Sequence, residues 1–89
     1  DLKQYKSAEK DVNAVLKHNN RLPKANYLMA QIKYAGKDYI AAEQYAQKVL
    51  NVVPSHYKAM SLIGQADFNL GRMQQAEIYI TKVLFKYPT

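Results

Sequence analysis

Cysteine is absent from this chain of 89 residues, and glycine and proline occur only three times each. Without cysteine there is no disulfide framework and no thiolate metal ligand, although this absence does not distinguish the cytosol from the cell envelope. No stretch approaches 18 consecutive apolar residues, so no segment is predicted to span a membrane. The few glycines and prolines fall mostly at the ends of periodic segments, which favours long helices with short turns.

Residue patterns typical of catalysis or metal binding are also missing. Neither histidine, His18 or His56, has an acidic residue or a second histidine at the helical spacing that would form a metal site. The carboxylates are dispersed, and there is no glycine-rich phosphate loop. We therefore expect no catalytic residue, no metal and no cofactor. We also expect that the protein is not an enzyme. A catalytic triad assembled from distant parts of the chain stays an alternative.

The charged residues are unbalanced, with 13 lysines and arginines against seven acidic residues and a net charge of +6. Eleven of the 13 are lysines scattered along the chain, whereas a nucleic-acid surface is typically rich in clustered arginine. The pattern favours a solvated helical surface and no nucleic-acid partner. The alternative is attraction of an acidic protein or of an anionic polymer such as a polysaccharide.

A period of 34 residues is the dominant feature of what is present. From Lys24 to Pro54, 11 of 31 positions are identical to those 34 residues later, including Lys24 with Lys58 and Pro54 with Pro88. A partial third copy lies upstream, where Ala8 precedes Ala42 by the same interval. A fixed period of this length indicates small units that bury their apolar faces only against their neighbours.

Apolar residues at spacings of three and four predict five helices and no strand. We expect Gly36 to be a left-handed helix cap, Asp38 and Ser55 to cap the helices that follow them, Gly71 to close the fourth helix, and His56 to be exposed. The predicted helices are residues 3–19, 23–35, 39–52, 56–70 and 73–87.

The period and the small residues together resemble the tetratricopeptide repeat. Small residues recur at the helix crossings, as Ala30 with Gly64 and Ala42 with Ala76, and a proline ends each unit. This resemblance implies an all-α, right-handed superhelical stack of antiparallel helix pairs. It also implies that residues 1–89 form one domain fragment, with 1–22 the second helix of a truncated repeat and 23–54 and 55–89 full repeats. Asn26 and Met60 depart from the family, which usually has a large aromatic there.

A narrower similarity is to bacterial tetratricopeptide lipoproteins of exopolysaccharide and protein-sorting systems. It is carried by the run from Leu22 to Ala30 and by the run from Lys37 to Ala42. It implies no residue roles, and it leaves the compartment open between the cell envelope and the cytoplasm.

The family resemblance also implies a concave groove formed by the first helices of successive units. Aromatic area beside amides and cations suits an extended peptide. The alternative is that the lysines only solvate the surface and that Tyr34 and Phe68 pack adjacent units. The residues expected to face the groove are Lys24, Tyr27, Gln31, Tyr34, Lys58, Ser61, Gln65 and Phe68.

Two functions follow from this reasoning. The first is a protein–protein interaction module or assembly scaffold that binds a peptide or protein segment in the groove. The second is a structural spacer of a longer array that self-associates through its end helices. The spacer is motivated by the apolar residues Ile78, Ile80 and Leu84 on the last helix, and by the chain beginning within a repeat.

Overall fold

Five α-helices make up the architecture in the computed structural model, which describes residues 2–86 and the side chains of residues 4–85. They are α1 (Leu2–His18), α2 (Pro23–Ala35), α3 (Tyr39–Val52), α4 (Tyr57–Asn69) and α5 (Met73–Lys86). No strand occurs between residues 2 and 86. The predicted all-α class is therefore confirmed, and the helix boundaries lie within one residue of the predicted ones. The predicted end of the last helix at Tyr87 lies outside the described residues.

Helices that are neighbours in the chain pack against each other around a core of small side chains. α2 packs on α3, α3 on α4 and α4 on α5, while α1 packs on α2. A smaller cluster of Val12, Ala25 and Met29 joins α1 to α2. This neighbour-to-neighbour packing is the arrangement of a helical repeat protein. The main core cluster contains Ala30, Ala42, Ala46, Val49, Ala59, Leu62 and Ile63.

Small residues lie where the helices cross, as predicted. Ala30 and Ala42 are fully buried, and Ala76 is nearly so. A Cβ added to Gly64 would lie 3.2 Å from Cγ1 of Ile80, which is closer than most real contacts. The approach of α4 to α5 therefore depends on the missing side chain at Gly64.

The turn between α2 and α3 corrects one prediction. Gly36 has φ of −83° and is not left-handed, whereas Lys37 has φ of 64°. In the next turn Gly71 has φ of 80°, as its predicted role requires. Lys37 lies 34 positions before Gly71, so the two left-handed residues are at equivalent positions of the repeat. The prediction failed because it relied on Gly36 being a glycine.

The predicted cap of α3 is confirmed, and the predicted cap of α4 is wrong. The Asp38 side chain accepts a hydrogen bond from the Ala41 amide at 3.3 Å. At α4, His56 holds the N-cap position in place of Ser55, and its Nδ1 accepts from the Ala59 amide at 3.0 Å. His56 is consequently half-buried and not exposed. A neutral imidazole nitrogen can perform the task usually given to a hydroxyl or carboxylate oxygen.

Two glutamates at equivalent positions are held by cations at the seams between helices. Lys33 Nζ on α2 donates to Glu9 Oε1 on α1, and this hydrogen bond raises the pKa of Lys33. Arg72 Nη1 donates to Glu43 Oε2 at 2.9 Å. The cations come from different places in the unit, because the residue equivalent to Lys33 is the acidic Asp67.

Asp67 is almost fully buried, with its side chain 2% exposed. Burial raises the pKa of its carboxyl group, and Arg72, whose Nη1 is 4.0 Å from Oδ1, opposes this to a smaller extent. Lys33 and Asp38 in one unit thus become Asp67 and Arg72 in the next, with their charges exchanged. In both units one cation still pairs with a glutamate, Lys33 with Glu9 and Arg72 with Glu43.

Candidate functional site

A depression between α2 and α4, here called the inner depression, gathers most of the side chains predicted for the groove. Its volume is about 480 Å³. The residues on each helix are spaced by three and four, so they share one face of that helix. Six of the eight predicted residues line it: Tyr27, Gln31, Tyr34, Lys58, Ser61 and Gln65.

The other two predicted residues, Lys24 and Phe68, do not line the inner depression. Lys24 is exposed in the first turn of α2, and Phe68 is 60% exposed in the last turn of α4. Each lies one turn beyond the row of lining residues on its own helix. Phe68 therefore neither joins the depression nor belongs to the hydrophobic clusters, whereas Tyr34 packs against the main cluster.

Four lining residues were not predicted, namely Ala35, Tyr57, Leu62 and Val83. Tyr57 is the first residue of α4 and Val83 comes from α5, outside the first-helix positions that the family resemblance assigns to the groove. The available signal for Tyr57 was its place beside Lys58 at the start of a helix. The contribution of Val83 has no counterpart in the sequence pattern, because it depends on how α5 packs.

Tyr27 forms one wall of the inner depression and is partly buried against the main core cluster. Its ring lies 5.1 Å from the ring of His56, tilted by 46°. Burial, and secondly the nearby Tyr57, raise the pKa of the Tyr27 hydroxyl above its ordinary value. The hydroxyl is therefore protonated at neutral pH and can donate or accept a hydrogen bond.

Tyr34 forms the opposite end of the row on α2. Its hydroxyl oxygen accepts a hydrogen bond from Asn69 Nδ2 on α4 at 3.1 Å, and its ring packs edge-on against Tyr39 at 5.3 Å. The same Asn69 nitrogen donates to the carbonyl of Gln65 at 2.8 Å. Asn69 thus ties the two helices together at one end of the depression, a role that sequence reasoning missed.

The remaining polar groups of the inner depression belong to α4. Gln65 Nε2 donates to Ser61 Oγ at 3.3 Å, and Lys58 is exposed one turn earlier. Gln31 faces them from α2 and is also exposed. The depression therefore combines three tyrosine rings with their hydroxyl groups, two amides, the Ser61 hydroxyl and one cation, groups that can recognise a main chain and its side chains.

Metal and membrane features are not found in the part of the chain that the structure describes. No group of three or more histidine, cysteine, aspartate or glutamate residues there could hold a metal ion. His18 is exposed in the last turn of α1, while His56 caps α4. None of the helices between residues 2 and 86 is long and apolar enough to cross a membrane.

A family model matches most of the chain. Residues 1–83 match the family described as anaphase-promoting complex, cyclosome, subunit 3, which consists of tetratricopeptide-type repeats. The chain belongs to this family. A comparison with curated proteins gave no match.

Membership in the subunit 3 family confirms the tetratricopeptide resemblance over nearly the whole chain. The family is one of protein–protein interaction modules and is generally non-catalytic. Its partners are in general proteins. The narrower similarity to bacterial lipoproteins gains no support from the match and stays a prediction.

Proposed function

We propose that this chain is a non-catalytic module that binds an extended segment of a partner protein in the inner depression and thereby acts as an assembly scaffold. The observation that carries the proposal is that six side chains from two helices converge on one depression. The family description supports it, because it is that of a subunit of a complex.

The chemistry of the inner depression suits a peptide main chain. The amides of Gln31 and Gln65 can each donate to a carbonyl and accept from an N–H group, while Tyr27 and Tyr34 supply flat apolar area. The row from Tyr27 to Tyr34 is about 10 Å long at the helical rise, which equals about three residues of extended chain. Lys58 lies at the edge, where it favours an acidic side chain in the ligand.

A selection experiment tests the proposal. Peptides are selected from a random library on the immobilised chain, and the strongest binder is titrated against variants. Gln31→Ala with Gln65→Ala is the informative variant, because both side chains are exposed and their removal leaves the core intact. We expect it to weaken binding about tenfold, the loss of two modest hydrogen bonds.

The matched control removes two glutamines that lie outside the inner depression, Gln44 and Gln74, both exposed. Phe68→Ala is a second control, since Phe68 is exposed outside the depression. Both controls should keep the parent affinity. If either weakens binding as much as the Gln31 and Gln65 variant does, the ligand does not occupy the inner depression.

A second candidate function, the self-associating spacer, is favoured by the exposed apolar face of α5. Leu84 is 59% exposed and Phe85 is 84% exposed. The equivalent of Leu84 one unit earlier, Leu50, is partly buried against the main core cluster. Leu84 therefore exposes on α5 an apolar side chain of the kind that α3 buries at Leu50.

Sedimentation separates the two candidates. If α5 mediates self-association, the parent chain should dimerise at high concentration and Leu84→Lys should make it monomeric. Phe68→Lys is the control, because Phe68 has nearly the same exposure, 60%, on another helix. A parent chain that stays monomeric at all concentrations removes the spacer function and leaves the peptide-binding module.

A further inference from the structure

A second cavity, larger than the inner depression, lies between α1 and α3 and is here called the α1–α3 groove. Its volume is about 740 Å³, and part of its lining comes from Asn20 and Asn26. Asn26 is fully buried and belongs to α2. Half of the groove's other polar lining residues are lysines, namely Lys6, Lys10, Lys17 and Lys48, and the others are Glu9, Asn13, His18 and Tyr45.

The lysines of the α1–α3 groove form an ordered row. Lys6, Lys10 and Lys17 are all exposed and follow one face of α1 at intervals of four and seven residues. They span about 16 Å at the helical rise. Lys48 faces them from α3, and its ammonium group is held 5.1 Å from the centre of the Tyr45 ring.

The positive charge in the α1–α3 groove is not compensated within it. Among the described residues that line it, Glu9 is the one carboxylate, and it is already bound by Lys33. Lysine side chains that share a cavity without acidic partners repel each other and attract anions. An anionic ligand that neutralised them would be favoured by both effects.

The next unit offers an internal comparison. The residues 34 positions after Lys6, Lys10 and Lys17 are Ile40, Gln44 and Asn51. The corresponding cavity between α3 and α5 contains Glu43, Asp67 and a single lysine, Lys82. That unit packs in the same way without the basic row, so the fold does not require it. The lysines on α1 are a property of this one groove.

We propose that the α1–α3 groove binds an acidic segment of a partner polypeptide, at a surface separate from the inner depression. The span of about 16 Å matches about five residues of extended chain. A nucleic acid fits less well, because no arginine is among the described residues that line the groove, and because its Tyr45 ring is covered by Lys48 and by both core clusters. The protein partners of the family point the same way.

Fluorescence anisotropy with a labelled oligoglutamate peptide tests the proposal. The test variant combines Lys6→Gln, Lys10→Gln and Lys17→Gln. The control combines Lys24→Gln, Lys37→Gln and Lys82→Gln, which removes the same charge from exposed lysines outside both the groove and the inner depression. Circular dichroism should show that both variants remain folded. We expect the test variant to bind about tenfold more weakly than the parent, and the control to lose much less.

Three outcomes would overturn the proposal. The first is a control variant that loses as much affinity as the test variant, which would show only a general charge effect. The second is affinity that does not fall with added salt, since exposed charges are screened. The third is tighter binding of a labelled oligouridylate or oligoglucuronate that is also lost in the test variant. That result would assign the groove to a nucleic acid or a polysaccharide.

Discussion

Lys37 and Gly71, which lie 34 residues apart, share a left-handed backbone conformation, with φ of 64° and 80°. In this region the Cβ of an L-residue crowds the following carbonyl, which costs about 1–2 kcal/mol, whereas glycine adopts it freely. The backbone is therefore strained at Lys37 in the turn between α2 and α3. It is not strained at Gly71, the equivalent position between α4 and α5.

Replacing Lys37 with glycine should stabilise the chain. We expect Lys37→Gly to raise the free energy of unfolding by about 0.5–1 kcal/mol, because the strain is relieved while the unfolded chain gains some freedom. Urea unfolding followed by circular dichroism measures this. Gly71→Ala should lower stability by about 1 kcal/mol, although nothing lies within 4 Å of the added Cβ. Gly36→Ala, with φ of −83°, is the unstrained control.

Gly64 and Ile80 should show energetic coupling. The equivalent pair one unit earlier is Ala30 and Ala46, both fully buried, so a methyl group there meets a small partner. Helix propensity favours Gly64→Ala by about 1 kcal/mol, but the added methyl would meet Ile80. We expect the full gain only when Ile80→Ala is also present. A double-mutant cycle measures the difference, and equal effects of Gly64→Ala in both backgrounds would refute the coupling.

Asp67 should make stability depend on pH in an unusual direction. Its folded pKa is raised above its ordinary value of 3.8, so the native chain binds the proton more tightly than the unfolded chain. Its contribution to the free energy of unfolding therefore grows as pH falls through the folded pKa towards 3.8, and shrinks as pH rises. Asp67→Asn removes this contribution.

The Asn variant should compare more favourably with the parent at about pH 7 than at about pH 4. Arg72, which faces the carboxylate, and the nearby Glu43 are present in both proteins and largely cancel in the comparison. Urea unfolding at the two pH values measures the difference. The quantity compared is the free energy of unfolding of Asp67→Asn minus that of the parent. If this quantity is the same at both pH values, or larger at the lower one, a pKa raised by burial is contradicted.

The imidazole of His56 should stabilise the start of α4. His56→Ala removes the acceptor for the Ala59 amide and should cost about 1 kcal/mol. His56→Asp should restore most of this, because a carboxylate caps well and suits the helix N-terminus. Thermal unfolding of the three proteins checks the order. Equal loss in both variants would mean that the contact with the Tyr27 ring dominates instead.

The sequence predicted the helices well because their signals are local and repeated. Spacings of three and four mark each helix, and Asp38 caps α3 through its own side chain. The errors at Gly36 and Ser55 share a cause. Each is a residue type that is common in helix caps, but the neighbouring residue, Lys37 or His56, has the predicted role. At Lys37 the period carried the correct information, since its counterpart is Gly71. The unit divisions at 22/23 and 54/55 stay a prediction.

The candidate site was predictable only in part. The shared face of α2 and α4 follows from periodicity, which is why six residues meet in the inner depression. The extent of the depression along the helices does not follow from periodicity. Lys24 and Phe68 lie one helical turn beyond the lining residues. The contributions of Val83 and Asn69 depend on packing between helices, and no local pattern reports that.

Peptide binding in the inner depression can be tested by mapping a bound peptide onto the backbone. The chain is labelled with nitrogen-15, and amide chemical shifts are followed while the peptide selected on it is added. Binding in the inner depression should place the largest changes on α2 and α4 around Gln31 and Gln65, with smaller ones on α1 and at the end of α5. Changes concentrated on α5 or on the lysine row of α1, with none at Gln31 and Gln65, would contradict peptide binding in the inner depression.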